Sequence, residues 1–241
     1  MSSQEMSPAG IPVYRHSERT EDYTEAVVDE TAIQKISEHI EKHIGKIDAV
    51  FHEKISDLIQ LDILIVNPTA ERNYYTLVTC GMSHLPMTVP EGAEQFKYAE
   101  LMICLPADWK VSQEDFQVQE NYWPIYWLKR LARMPHEYNT FILHGHSIPN
   151  GDPAEPFASN TRMSGMLVAV PTTVEDVKSF FTLSLDEDKE IHFFSLVPVY
   201  KEEMKYKLKH GVNDLLKKFG KANVNEILNI KRTNVCKKRL F

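Results

Sequence analysis

Two histidines two residues apart, His144 and His146, lie in the segment Phe141–Asp152, just ahead of Pro149, Asn150 and Gly151. On an extended backbone alternate side chains share a face, so this pair could ligate a transition metal. A metal-dependent hydrolase built on His144 and His146 is therefore one alternative. Such a centre needs a third and fourth ligand, which His192 or Asp152 would supply only if the fold brought them near. In the opposing alternative His146 anchors a turn through its ring nitrogens, while Pro149, Asn150 and Gly151 set the turn geometry. A second pair, His39 and His43, is spaced four apart on a helical stripe. There Ile40 follows the first histidine and Glu41 comes one position late for a zincin base, which points to a solvated helix face. No GxSxG, P-loop, GxGxxG or HExxH pattern occurs. Cys80, Cys104 and Cys236 show no CxxC spacing and suit thiols in a reducing compartment. These absences remove the commonest hydrolase, nucleotide-binding and zinc-protease readings, and no metal or cofactor is expected.

Aromatic mass is concentrated in one stretch, where Trp109, Trp123 and Trp127 accompany Tyr122 and Tyr126. Trp123 and Trp127 share a helix face and can serve core packing; any left at the surface would be anchors for a protein partner. Asp108, Glu114, Asp115 and Glu120 flank them, so a basic partner would meet aromatic anchors inside an acidic rim. The charge balance agrees. The chain has 241 residues, 27 Lys plus Arg, 34 Asp plus Glu and a net charge of −7. Residues 1–200 carry −15 and residues 201–241 carry +8. An acidic body disfavours nucleic acid and steers association toward a basic protein. The first 30 residues hold no apolar run suited to a signal peptide, and runs such as Leu101–Leu105 fall far short of the ~20 residues that a membrane helix needs. A soluble cytoplasmic chain with no membrane segment is expected.

The elements that must position these side chains follow from periodicity. Ile33, Ile36, Ile40 and Ile44 recur at spacings of three and four, which predicts a helix over 29–45 ended by Gly45. Strands are predicted over 50–55, 59–66 and 74–80, forming an antiparallel meander, and the apolar run ending at Leu105 predicts a central strand over 96–105. Ser112 to Asp115 resembles a capping box, ahead of an aromatic helix over 122–134 that tolerates Pro124 in its first turn. A strand is predicted over 164–170, and a hairpin pairs 180–185 with 191–197. Met204, Leu208, Val212, Leu215 and Phe219 predict one long helix closed by Gly220. Strands framed by helices without regular alternation indicate an α+β fold: a mixed, mostly antiparallel sheet flanked by helices in a single compact domain. The boundaries are a mobile N-terminal segment 1–27, a domain 28–225 and a basic C-terminal tail 226–241.

At these segments the chain resembles the suppressor-of-fused-like domain family, in particular its bacterial single-domain members. The resemblance rests on Tyr98–Trp109, on Tyr122–Arg133, on Asn139–Phe141 running into Gly145–Gly151, and on Phe193–Tyr200 with the helix after it. It implies a binding domain without a catalytic site. Eukaryotic relatives add a second domain and sequester transcription factors, a role this shorter chain does not inherit. Bacterial members are often immunity proteins or antitoxins that neutralise a partner toxin, and that role suits the acidic body. The turn formed by Gly145, His146, Ile148, Pro149, Asn150 and Gly151 is the family's clearest fingerprint here, and where the family commonly has an aromatic residue this chain has His144. The candidate partner-binding residues are thus His144, Gly145, His146, Ile148, Pro149, Asn150 and Gly151, with Trp109, Trp123 and Trp127. Oligomeric state and partner identity are not specified by the sequence.

Overall fold

The structure is a computed structural model that describes residues 5–16, 28–52 and 58–237. It opens with β1 (Glu5–Met6) and β2 (Pro12–Val13), a two-stranded ladder, followed by α1 (Glu30–His43). Next come β3 (Ala49–Phe51), β4 (Asp62–Val66), β5 (Tyr74–Cys80), β6 (Tyr98–Pro106) and α2 (Gln119–Glu137). The chain continues through β7 (Ser147–Pro149), β8 (Met163–Ala169), α3 (Val177–Phe181), β9 (Thr182–Ser184) and β10 (Glu190–Tyr200), and then through α4 (Lys201–His210) and α5 (Val212–Lys221).

Strands β3 to β10 form one sheet in the order β3-β4-β5-β6-β10-β8-β7, with β9 also pairing β10. The predicted meander is β3-β4-β5-β6, antiparallel throughout. The pairing of β6 with β10 is parallel, and that of β10 with β8 antiparallel, so the sheet is mixed and mostly antiparallel as expected. The central strands are buried along nearly their whole length because both faces are covered. On one face α1 lays Ile36 and Ile40 against Leu64, Val78 and Met102. Full burial of each such isoleucine contributes roughly 1.5–3 kcal/mol. Further along the same face, Met204 of α4 and Leu215 and Phe219 of α5 cover Leu167, Val197 and Val199. On the opposite face α2 packs Trp123, Trp127, Leu128 and Leu131 over Leu101, Ile103, Val168 and Phe194.

Several local readings change. Helix α1 is capped by the Asp29 carboxylate, which accepts from the Ala32 amide at 2.9 Å. The Ser112–Asp115 box exists, with the Asp115 amide donating to Ser112 Oγ at 3.1 Å, but it lies just ahead of a short 3-10 turn (Asp115–Gln117) rather than capping α2. Phe180 and Phe181 belong to α3, where the Asp176 carboxylate accepts from Ser179, so the predicted hairpin strand shrinks to β9. The predicted single helix is two, because Gly211 takes φ +85° and ends α4, while Gly220 lies inside α5. Part of the strand predicted over 50–55 lies outside the described residues.

The described residues at both ends of the chain make contacts with the body of the fold. Residues 5–16 of the stretch expected to be mobile are laid on the fold: the Ala9 amide donates to the Leu208 carbonyl, and Tyr14 touches Phe141. Residues 1–4 and 17–27 lie outside the described set. Of the segment predicted as a basic tail, residues 226–237 are described and pack on the sheet. Ile227 bridges to Cys104, Leu228 is buried, and Arg232 forms a bidentate pair with the buried Glu203 at 2.7 Å on both nitrogens.

Candidate functional site

The fingerprint segment begins with a tight turn. The His146 amide donates to the Leu143 carbonyl at 3.1 Å and Gly145 takes φ +89°, a conformation that favours glycine. This turn breaks the alternation on which the metal alternative depended. His144 is left exposed, whereas His146 is largely covered, its ring 5.0 Å from Phe141 and 6.3 Å from Tyr14. Burial, and next the nearby Lys207 charge, push the His146 imidazole down to about 4, partly offset by a hydrogen bond with the Phe141 backbone. The predicted third and fourth ligands are elsewhere: His192 is held between Phe96 and Phe181, and Asp152 accepts from Arg15 at 3.1 Å. Among the described residues no three His, Cys, Asp or Glu side chains form a metal-ligand group. The two histidines therefore find no ligand set to complete a metal centre.

Beyond the turn, β7 forms the sheet's last strand, and its end is fixed from within. The Asn150 amide donates to the Ser164 carbonyl at 2.8 Å, and its side chain donates to the carbonyls of Glu155 at 2.9 Å and Pro156 at 3.1 Å. Asn150 thus clamps the loop that follows, while Gly151 turns the chain at φ +88°. Lys207 of α4 is buried under this strand and donates to Ser147 Oγ at 3.3 Å; burial lowers its pKa.

The tryptophans support this region from below. Trp123 is fully buried, stacked on Phe157 at 4.9 Å, and Trp127 is packed against the same ring at 5.0 Å. Trp109 is half-buried, edge-on to Trp123, and its Nε1 donates to the Asn121 carbonyl at 3.0 Å. The tryptophans are thus packing elements, and Trp123 presents no surface for a partner. The large aromatic that α2 exposes is Tyr126, at 44% of its full exposure. Of the predicted acidic rim, Glu120 accepts from the Ser159 hydroxyl and Asp115 from Ser112, so both hold loops in place.

These parts converge on a cleft of about 650 Å³ beside β7. Ile148, Pro149, Asn150, Gly151 and Asp152 form one wall, and α2 forms the second with Tyr126, Trp127 and Arg130, continued by Tyr138 just past its end. Tyr14, Arg15 and His16 from the N-terminal segment form the third. Sequence patterns missed that wall: its signal was the short apolar cluster Ile11, Val13 and Tyr14 in a stretch expected to be mobile. The cleft gathers four of the ten predicted partner-binding residues from the fingerprint, together with Trp127, whereas His144, Gly145, His146, Trp109 and Trp123 do not line it. Chemically it offers aromatic faces, two guanidinium groups and the carboxylates of Glu137 and Asp152 next to an edge strand, an arrangement suited to an extended peptide.

No curated protein matches the chain, but solved structures do. A suppressor of fused homologue from Neisseria gonorrhoeae superposes with a TM-score of 0.63 at 18% identity, covering 87% of this chain and 100% of that one. A structure of the Sufu–Fu complex gives 0.57 at 15% identity, with 85% and 92% covered. Drosophila Suppressor of Fused gives 0.50 at 13% identity, with 73% of this chain but only 43% of that one covered. These likenesses establish the fold. Among the described residues no helix is long and apolar enough to cross a membrane. The profile of the family described as Suppressor of fused protein (SUFU) matches residues 57–233, which embrace the sheet from β4 to β10, the cleft strand and the Arg232 anchor, and the chain belongs to that family.

Proposed function

We propose that the chain is a non-catalytic protein-binding module that grips a basic protein partner along the β7 cleft, in the manner of an immunity protein or antitoxin neutralising a toxin in the cytoplasm. The observation that carries this reading is the cleft itself, an aromatic-walled groove beside the edge strand that bears the family fingerprint. Extended segments bind beside edge strands through backbone pairing and side-chain pockets. Tyr126 and Tyr138 are the kind of amphipathic aromatic anchors on which binding energy concentrates. The net charge of −7 favours encounter with a basic protein, although the cleft's own mixture of Arg15, Arg130, Glu137 and Asp152 makes local contacts selective by position rather than by overall sign.

The test is capture of partners from the native cytoplasm on the full chain, on Tyr126→Asp and on Pro149→Arg, at low and moderate salt, with mass spectrometry of what is retained. A basic partner held by the native chain and lost from both variants supports the reading, and co-expression that relieves its toxicity supports the immunity role. Equal retention by all three chains, or a partner without excess positive charge, overturns it.

A further inference from the structure

The third wall of the cleft comes from an N-terminal part of the same chain. The ladder of β1 with β2 is closed by Arg15, whose Nε donates to the Glu5 carboxylate at 2.9 Å. From this small unit three consecutive side chains reach the site. Tyr14 packs edge-on to Phe141 at 5.5 Å and beside His146, Arg15 donates to Asp152 at 3.1 Å, and His16 lies 5.5 Å from Tyr138. All three contacts are shallow. Arg15 and Asp152 side chains are 67% and 79% exposed, and Tyr14 remains 43% exposed. An exposed ion pair of this type contributes little, because solvent screens it and two side chains must be ordered. Two of these contacts, Arg15 with Asp152 and His16 with Tyr138, fall on cleft-lining residues, while Tyr14 lines the cleft and rests on Phe141 and His146 at its margin; each uses a chemistry that a protein ligand could supply from outside.

From this placement we infer that residues 5–16 act as an internal pseudo-ligand, and that the external partner displaces them with an aromatic residue followed by a basic one. The inference rests on the cleft being the binding site. The incoming aromatic takes the place of Tyr14 against Phe141 and His146, and the incoming Arg or Lys takes over Asp152. That chemistry matches the basic partner favoured by the net charge, and it locates the partner's positive charge at one carboxylate. A tethered segment competes at an effective concentration on the order of millimolar. If the same segment binds in trans at about 100 µM, the tether masks the site roughly tenfold.

The test uses a fluorescent synthetic peptide with the sequence of residues 5–16 as probe. Its binding is followed by anisotropy on the full-length native chain, on Tyr14→Ala/Arg15→Ala, and on the milder Arg15→Glu, with melting temperatures recorded for each. The expected result is binding about tenfold tighter to the double variant than to the native chain, with a smaller gain for Arg15→Glu, and weakened when Asp152→Lys is added or when the peptide carries Ser and Glu in place of its Tyr and Arg. Equal affinity for native and variant chains, or binding unaffected by Asp152→Lys, overturns the inference. So does no binding up to millimolar peptide by variants that keep the native melting temperature. The outcome is separable from that of the binding function: partner capture that needs Tyr126 and Pro149 but ignores Arg15→Glu sinks only the pseudo-ligand. Peptide masking without cleft-dependent capture sinks the function, and partner displacement with it, while leaving the docking of residues 5–16 on the cleft established.

Discussion

The two ends of the chain are held to the same body by opposite physics. At the C-terminal end, the Arg232 side chain is 9% exposed and pairs with a Glu203 carboxylate that is entirely buried. The same carboxylate accepts from the amides of Tyr200 and Val235, both at 3.0 Å. Nearby, the buried Glu226 accepts from the Thr173 amide at 2.7 Å and from the Thr172 amide and hydroxyl. At the N-terminal end, Arg15 reaches two exposed carboxylates and Tyr14 rests on rings at the surface. A buried pair broken on one side leaves an uncompensated charge, whereas a surface pair returns both groups to water. The first end is therefore integral to the fold, and the second is the end that the proposed displacement releases.

Four measurements would break or sharpen this contrast. Arg232→Leu strands the Glu203 carboxylate and should cost about 3–5 kcal/mol in chemical denaturation; a loss under about 1 kcal/mol would place both ends in the same class. Acid should act next. His146 lies under the N-terminal segment with its pKa pushed down to about 4 from an ordinary 6.5, so the unfolded state binds the proton first as pH falls. Its contribution is complete above 6.5 and is lost progressively down to about 4, at most about 3 kcal/mol, and His146→Gln should flatten that part of the stability–pH curve. Glu226→Gln keeps the shape but weakens three charge-assisted bonds, for which about 1–3 kcal/mol is expected from thermal or urea unfolding. Smallest of all, Arg15→Ala should leave the melting temperature where it was while increasing protection loss at residues 5–16 in hydrogen exchange; a clear fall in melting temperature would show the segment to be integral.

The contrast also shows what could be read from sequence. The α1 stripe and the meander were legible because burial on one face imposes a period that neighbouring residues display by themselves. The C-terminal anchor was not, since Arg232 and Glu203 are brought together by the fold and each looks locally like a solvated charge. The break at Gly211 was hidden because Leu208, Val212 and Leu215 continue one stripe across it, although the glycine itself was the signal. Phe180 and Phe181 have the composition of a strand, and only the Asp176 cap and the burial of Phe180 against α1 turn them into helix. For the candidate site, the fingerprint supplied one wall and α2 supplied another. Alternation failed for His144 and His146 because Gly145 reverses the chain between them. The third wall depends on a tertiary docking of Tyr14 that no local pattern encodes.

The parallel seam between β6 and β10 governs how the molecule is assembled. Its partners, such as Met102 and Ser195, lie about 90 residues apart, whereas the strands from β3 to β6 are joined by much shorter connections. Closing that long loop is slow relative to local pairing, so the meander can form first and wait. During synthesis at roughly 5–20 residues per second, β6 would remain an unpaired apolar edge for about 5–20 s before β10 emerges to cover it. The nascent chain is therefore most exposed to misassociation in the interval between completing its meander and receiving its longest strand.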